Sequence, residues 1–167
     1  MTAEERIFSI VRGGLTCREG DVDPAGTDGE AAVFAPGLLR REFLAESDLP
    51  ERLTLHLLLH LMLGHPWGRQ GRARALWDTA CDLAVGLVRH ALLPQKPETP
   101  AAFSARCKLQ ARRAVRAPAI YALLLEQPDA LTAEEQATFY LDDHRLWQLS
   151  ASASEPKTAD GGAETGW

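Results

Sequence analysis

From Leu53 to Leu63 the chain reads LTLHLLLHLML. Ser47 or Asp48 ahead of it can cap a helix, Pro50 suits a first turn, and Gly64 with Pro66 beyond stops it. The spacing predicts a helix over about 50–63. Leucines occupy every side of that helix, and a helix apolar all round belongs in a protein interior. The rest of the chain must therefore supply apolar partners around it, which predicts a mainly α domain packed on a central helix. The same helix carries His56 and His60. Burying two imidazoles costs roughly 1–3 kcal/mol each unless something holds them.

On a helix, residues i and i+4 share one face about 6 Å apart. Two imidazoles so placed can hold one metal ion, the arrangement used by the zinc-peptidase motif H-E-x-x-H. A metal site needs a further protein ligand. Asp82, in WDTACDLAVG, lies in the middle of the next predicted helix among small and apolar neighbours, an odd place for a solvated carboxylate. It is the preferred third ligand because the helix fixes its direction. His65, after Gly64, is the alternative. Asp78 falls on the same face as Asp82 one turn earlier, as a helix-start residue or as an outer partner that orients a ligand histidine. The competing reading keeps these residues without metal: a buried polar network of histidines and aspartates holding two helices in register.

Elsewhere the pattern is helical. Thr2 with Glu5 forms a capping box for a first helix ending at Gly13 and Gly14. Residues 18–30 read as an acidic, Gly- and Pro-containing loop, AAVFAP as a short strand, and GLLRREFLAES as a short helix. A long helix is expected over 71–93, another over 99–117 with Arg106, Lys108, Arg112, Arg113 and Arg116, and a short apolar one in APAIYALLLEQ. Thr132 with Glu135 makes a second capping box. From residue 150 onward almost nothing is apolar, which predicts a disordered tail over 150–167. The expected organisation is one helical domain over 1–149, with its core over 31–149. No internal repeat is present.

Charge is unevenly placed within a net of −5. Residues 1–39 hold three basic and seven acidic groups, residues 40–117 thirteen and seven, and residues 118–167 two and nine. Internal pairing between the basic middle and acidic ends accounts for this, and the excess is too weak to indicate nucleic acid. Three cysteines, Cys17, Cys81 and Cys107, stand far apart with no C-x-x-C, which argues against a disulfide framework. The N-terminus lacks the apolar run of a signal peptide, and no apolar stretch is long enough for a membrane span, so a cytoplasmic protein is expected. P-loop and G-x-S-x-G motifs are absent from the sequence.

The segments LHLLLHLMLGHPWGR and RALWDTACDLAVGLV together resemble the metallopeptidase-like domain that precedes a von Willebrand factor A-like domain in a family of bacterial proteins. That family shows H-E-x-x-H-x-x-x-x-H followed by W-[DN]-x-A-x-D-x-A-[VI]. His56, His60, His65, Trp77, Asp78, Ala80, Asp82, Ala84 and Val85 fall on the pattern. A further stretch, YLDDHRLWQ, is similar to a D-D-H-x-x-W element of one branch, through Asp142, Asp143, His144 and Trp147. The resemblance spans roughly residues 30–149. It implies a zincin-like helical core with at most a short strand or hairpin, and zinc held by His56, His60 and Asp82. It also implies a role beside MoxR-type AAA ATPases or a von Willebrand factor A-like domain.

The chain departs from the pattern at Leu57, where the motif has the glutamate that takes a proton from metal-bound water. Leucine cannot do so, and an impaired or inactive peptidase is expected. No von Willebrand-like segment is expected to follow. The DDH element carries two expectations. Asp142 and Asp143 can cap a helix starting at His144. Alternatively Leu146, Trp147 and Leu149 dock on the central helices. That would bring Asp142, Asp143 or His144 within about 6 Å of His56, His60 or Asp82 as outer-shell partners, with Asp143 or His144 standing in for the missing base.

Overall fold

The computed structural model describes residues 15–92, 103 and 116–147. Within them the protein is mainly α with one small sheet, as the apolar helix predicted. The sheet holds β1 (Thr16–Glu19), β2 (Ala25–Thr27) and β3 (Ala31–Phe34) in the order β1-β3-β2. β1 runs parallel to β3 and β2 antiparallel to it. The AAVF strand is β3, buried along its whole length.

Residues 18–30 are not the loop that their composition suggests: the end of β1 and all of β2 lie there. Ala25, Gly26 and Thr27 are small enough to be fully buried against β3, and the Thr27 hydroxyl donates to the Ala31 carbonyl at 2.8 Å. Asp28 closes the turn, its carboxylate accepting from the amides of Glu30 (3.0 Å) and Ala31 (2.9 Å). Pairing with a distant partner thus overrides local turn composition.

Helix α1 (Leu38–Leu44) follows, then α2 (Leu49–Met62), the leucine-rich segment, and a 3-10 turn at His65–Trp67. Gly64 sits at φ 71°, a left-handed conformation that ends α2 without the penalty a side chain would incur. α3 (Arg74–Leu92) matches the second long helix, and α4 (Ala117–Glu126) the short apolar one. α5 (Ala133–Phe139) begins at the Thr132–Glu135 capping box, both halves of which are formed. The last described element is a 3-10 turn at His144–Leu146. The helix expected before Gly14, most of the one expected over 99–117, and the tail after residue 149 lie outside the described residues.

Two apolar clusters flank α2 and α3. On one side Leu53 and Leu57 of α2 pack with Ala25, Ala32, Phe34 and Leu38. On the other, Trp77, Ala80, Cys81, Leu83 and Ala84 of α3 pack with Ala117, Ile120 and Leu124 of α4, with Phe103, with Phe139 and with Trp147. Leu55, Leu59 and Val85 join the two helices directly. Each fully buried leucine or phenylalanine contributes about 1.5–3 kcal/mol. The all-round burial expected of α2 is incomplete: Leu53, Leu55, Leu57 and Leu59 are buried, Thr54 and Leu58 are half-buried, and Met62 in the last turn is 72% exposed. Among the described residues no helix is long and apolar enough to cross a membrane, and Cys17 and Cys81 are free.

Candidate metal centre

Between these clusters lies a group of buried polar side chains. His56 and His60, one turn apart on α2, bring their Nε2 atoms to 2.9 Å of each other. Asp82 of α3 places Oδ1 at 3.6 Å from His56 Nε2 and 3.4 Å from His60 Nε2. Asp142, from the segment after α5, places Oδ1 at 2.9 Å and 3.7 Å from the same two nitrogens. One donor atom from each of the four residues lies within 4.8 Å of every other. Their burial is nearly complete, with Asp142 and His60 at 0% exposure, His56 at 1% and Asp82 at 4%.

The 140–147 segment reaches the centre because β2 holds it. The Asp143 amide donates to the Ala25 carbonyl at 2.7 Å, and Gly26 forms a parallel bridge with Asp143. A Cβ on Gly26 would lie about 2.5 Å from the Asp143 carbonyl oxygen, so only glycine admits this approach. The two adjacent aspartates then divide their work. Asp143, also buried, turns to Arg145 instead: it caps the last turn by accepting from the Arg145 amide at 2.9 Å and pairs with the Arg145 guanidinium at 2.6 Å. Asp142 turns inward. The sequence offered Asp142 only as a cap or an outer partner. Nothing local in DDH distinguishes the two carboxylates; the pairing with β2 does.

His144 Nε2 lies 3.1 Å from Oδ1 of both Asp82 and Asp142, well inside the 6 Å expected of this element. Its ring stacks on Trp147 with centroids 3.8 Å apart and planes 18° from parallel. Asp78 sits behind it, Oδ1 to His144 Nδ1 at 3.7 Å, while its other oxygen faces Arg74 at 3.5 Å. His65 is buried, not the exposed loop residue its position beside Gly64 and Pro66 suggests. Its Nδ1 lies 3.0 Å from Nδ1 of His60, on the ring edge away from the other donors. Leu57, at the motif's glutamate position, is 0% exposed and faces the sheet-side cluster.

Electrostatics sort the histidines by neighbour. Burial disfavours charge on every one of them, but on His144 the attraction of Asp142 and Asp82 overcomes it, and its imidazole titrates well above the usual range. His56 is raised for the same reason, burial opposing and Asp142 then Asp82 prevailing. His60 is lowered, because burial outweighs its aspartates and the neighbouring histidines repel charge. His65 falls to about 3 through burial and the proximity of His60 and His144. Burial alone would raise the carboxyls of Asp82 and Asp142. The surrounding imidazoles more than reverse this and hold both well below the ordinary range.

The donor set fits a divalent ion. Donors about 2.0–2.1 Å from a tetrahedral centre stand about 3.3–3.4 Å apart; here five of the six separations run from 2.9 to 3.7 Å, and the sixth, between the two carboxylates, lies within 4.8 Å. The network is also incomplete on its own. Asp82 Oδ1 is enclosed by imidazoles yet has no hydrogen bond of good geometry, and Asp142 Oδ2 and His56 Nδ1 are likewise buried without one. A buried acceptor left this way costs about 1–3 kcal/mol. Two clefts abut the centre, and His144, Asp78 and Arg74 line both. One, of about 540 Å³, also reaches Asp82 and Tyr140; the other, of about 420 Å³, is walled by Trp67, Trp77 and Trp147.

Comparison with known proteins agrees with this geometry. No curated protein and no solved structure matches the chain. The model of one protein family, described as "Putative metallopeptidase domain", matches residues 11–163, nearly the whole sequence. Its span takes in α2, α3 and the DDH segment, the three places from which the buried donors come. The chain therefore belongs to this metallopeptidase-domain family.

Proposed function

We propose that this domain binds one zinc ion through His56, His60, Asp82 and Asp142 and does not act as an ordinary zinc peptidase. The observation that carries the proposal is the convergence of four buried donor atoms within 4.8 Å of one another. Two imidazoles and two carboxylates suit zinc better than calcium or magnesium, which prefer six or more oxygens. When bound, the ion supplies fixed positive charge and, where a coordination position is open, Lewis acidity. Catalytic zinc sites keep such a position by using three protein ligands. Here a fourth donor, Asp142, converges with the other three.

Two features of the chain oppose peptidase chemistry. Leu57 offers no proton acceptor, and its side chain lies among apolar residues and not at the donor cluster. His144, which touches two of the donors and meets both clefts, has contacts with Asp82 and Asp142 that favour holding a proton over accepting one. The chain's own residues thus hold and enclose the centre. His56 and His60 are fixed by α2, Asp82 by α3, Asp142 by β2, and Trp147 covers the His144 ring.

Elemental analysis of the purified protein tests this. A single zinc per chain is expected, lost in His60→Ala and in Asp142→Asn, with no hydrolysis of unfolded casein above background. Strong hydrolysis abolished by His56→Ala would refute the impaired-peptidase part. A second reading has its own observation: His144 with Asp82 and Asp142 is an ion cluster that balances charge without metal. Protein that is metal-free and refuses added zinc would establish that reading, a polar network holding α2, α3 and the DDH segment in register.

A further inference from the structure

His65 falls on the third histidine of the family pattern, where a ligand is the natural assumption. The geometry points to a different role: we infer that His65 is a positioning residue that fixes the tautomer and orientation of His60 by accepting its Nδ1–H. This rests on the zinc reading above.

His60 has two ring nitrogens with separate partners. Nε2 faces His56 at 2.9 Å and Asp82 at 3.4 Å. Nδ1 faces His65 Nδ1 at 3.0 Å. An imidazole that gives Nε2 to a metal carries its proton on Nδ1, and that N–H needs an acceptor. His65 Nδ1 is the acceptor in place, which sets His65 as the tautomer protonated on Nε2. The His60 ring stands between His65 and the other three donors, so His65 cannot join them without displacing it.

His65 is itself held firmly. The left-handed Gly64 turns the chain back at the end of α2, and the His65 carbonyl accepts from the Gly68 amide at 3.1 Å and from Trp77 Nε1 at 3.4 Å. Gly68 packs so closely on Trp77 that a Cβ there would lie 2.8 Å from its ring. The turn therefore clamps His65 between α2 and α3. The ring planes stand 73° apart with centroids 5.0 Å apart, and the atoms that meet at 3.0 Å are the two Nδ1 nitrogens. Orienting partners of this kind are worth about 10–100-fold in metal affinity.

The test uses the full chain with zinc, then with cobalt as a spectroscopic substitute. In ¹⁵N-histidine-labelled, zinc-loaded wild type, a through-hydrogen-bond N–N coupling is expected between Nδ1 of His60 and Nδ1 of His65. His65→Leu should bind zinc about 10–100-fold more weakly, with unchanged stoichiometry and an unchanged cobalt absorption pattern. His65→Asn, whose Oδ1 occupies nearly the place of Nδ1, should recover most of that loss. Zinc-loaded wild type without the coupling overturns the inference, as does a His65→Leu variant of wild-type affinity. A cobalt spectrum altered in His65→Leu overturns it in favour of direct ligation. Should His65→Leu fail to fold, the coupling and His65→Asn decide. Wild type that takes up no zinc sinks the metal proposal instead, a distinguishable result.

Discussion

At the scale of single residues, Leu57 and the histidines lead to testable outcomes. Restoring the motif glutamate is the obvious experiment on this chain, and the structure argues against its success. Leu57 is fully buried among Ala25, Ala32, Phe34, Leu38 and Leu53. Leu57→Glu would place a carboxylate in an apolar cluster that holds no cationic side chain among the described residues. The expected result is a loss of about 3 kcal/mol or more, or roughly 6–12 °C in Tm for a domain of this size, with no gain in casein hydrolysis. Thermal unfolding and a protease assay on one preparation check both.

The histidine shifts predict an unusual pH profile for metal-free protein. His144 and His56 are raised, so their contribution is complete below the unfolded value of 6.5 and is lost as pH climbs through their folded values. His60 and His65 are lowered, so the folded state loses ground as pH falls below 6.5. The depressed carboxyls of Asp82 and Asp142 add a further loss below their unfolded value of 3.8. Chelator-treated protein should therefore be most stable near pH 6.5. With zinc present the decline above 6.5 should shrink, because the metal takes the place of the proton on His56 and its charge offsets the pull of Asp82 and Asp142 on His144. Melting curves across pH 5–9, with and without chelator, read this directly; identical curves would count against a metal site.

At the scale of elements, the decisive contact joins the short strand β2 to the segment after α5. The Ala25 carbonyl and Gly26 hold the Asp143 backbone, and that hold turns Asp142 inward. Gly26→Ala puts a methyl carbon about 2.5 Å from the Asp143 carbonyl oxygen, so backbone must move. Overpacking of this sort costs about 1–3 kcal/mol. Here it should also lower zinc affinity, although Gly26 is no ligand, because Asp142 and His144 ride on the displaced segment. Zinc titration of Gly26→Ala against wild type checks it, and unchanged affinity would show that the bridge does not set the site. This coupling is invisible in the sequence. GDVDPAGTDGE has the composition of a loop, and only its pairing with β3 makes part of it a strand.

At the scale of the molecule, the centre joins three parts of the chain: α2, α3 and the DDH segment. The central ion should therefore act as a cross-link between them, favouring the folded chain over the unfolded one. Zinc at about 100 times its Kd adds about 2.7 kcal/mol, which corresponds to roughly 5–11 °C in Tm. A chelator should remove that increment and readdition of zinc restore it. The same cycle on Asp142→Asn should give no response, since that variant loses the ion.

What the sequence determined by itself is local and periodic. The leucine run bounded by Pro50 and Gly64 could only be a buried helix, and i, i+4 spacing put His56 and His60 on one face of it. Asp82 stood out as a carboxylate amid small apolar neighbours in a helix, and Thr132 with Glu135 announced a helix start that the structure forms in full. These features depend on residues within a few positions of one another, where backbone geometry leaves little choice. What only the tertiary structure decided depends on partners far along the chain. Asp142 lies 86 positions from the His56 it contacts, and which of the two adjacent aspartates turns inward was settled by the bridge to Gly26. Whether His65 faced solvent or His60 was settled by the left-handed turn at Gly64 and the clamp of Trp77. The side of α2 on which Leu57 lies was fixed by its helical phase, but what it meets there was fixed by a strand that local composition concealed. Long-range contacts form only when the whole chain is compact, and no single stretch of sequence records them.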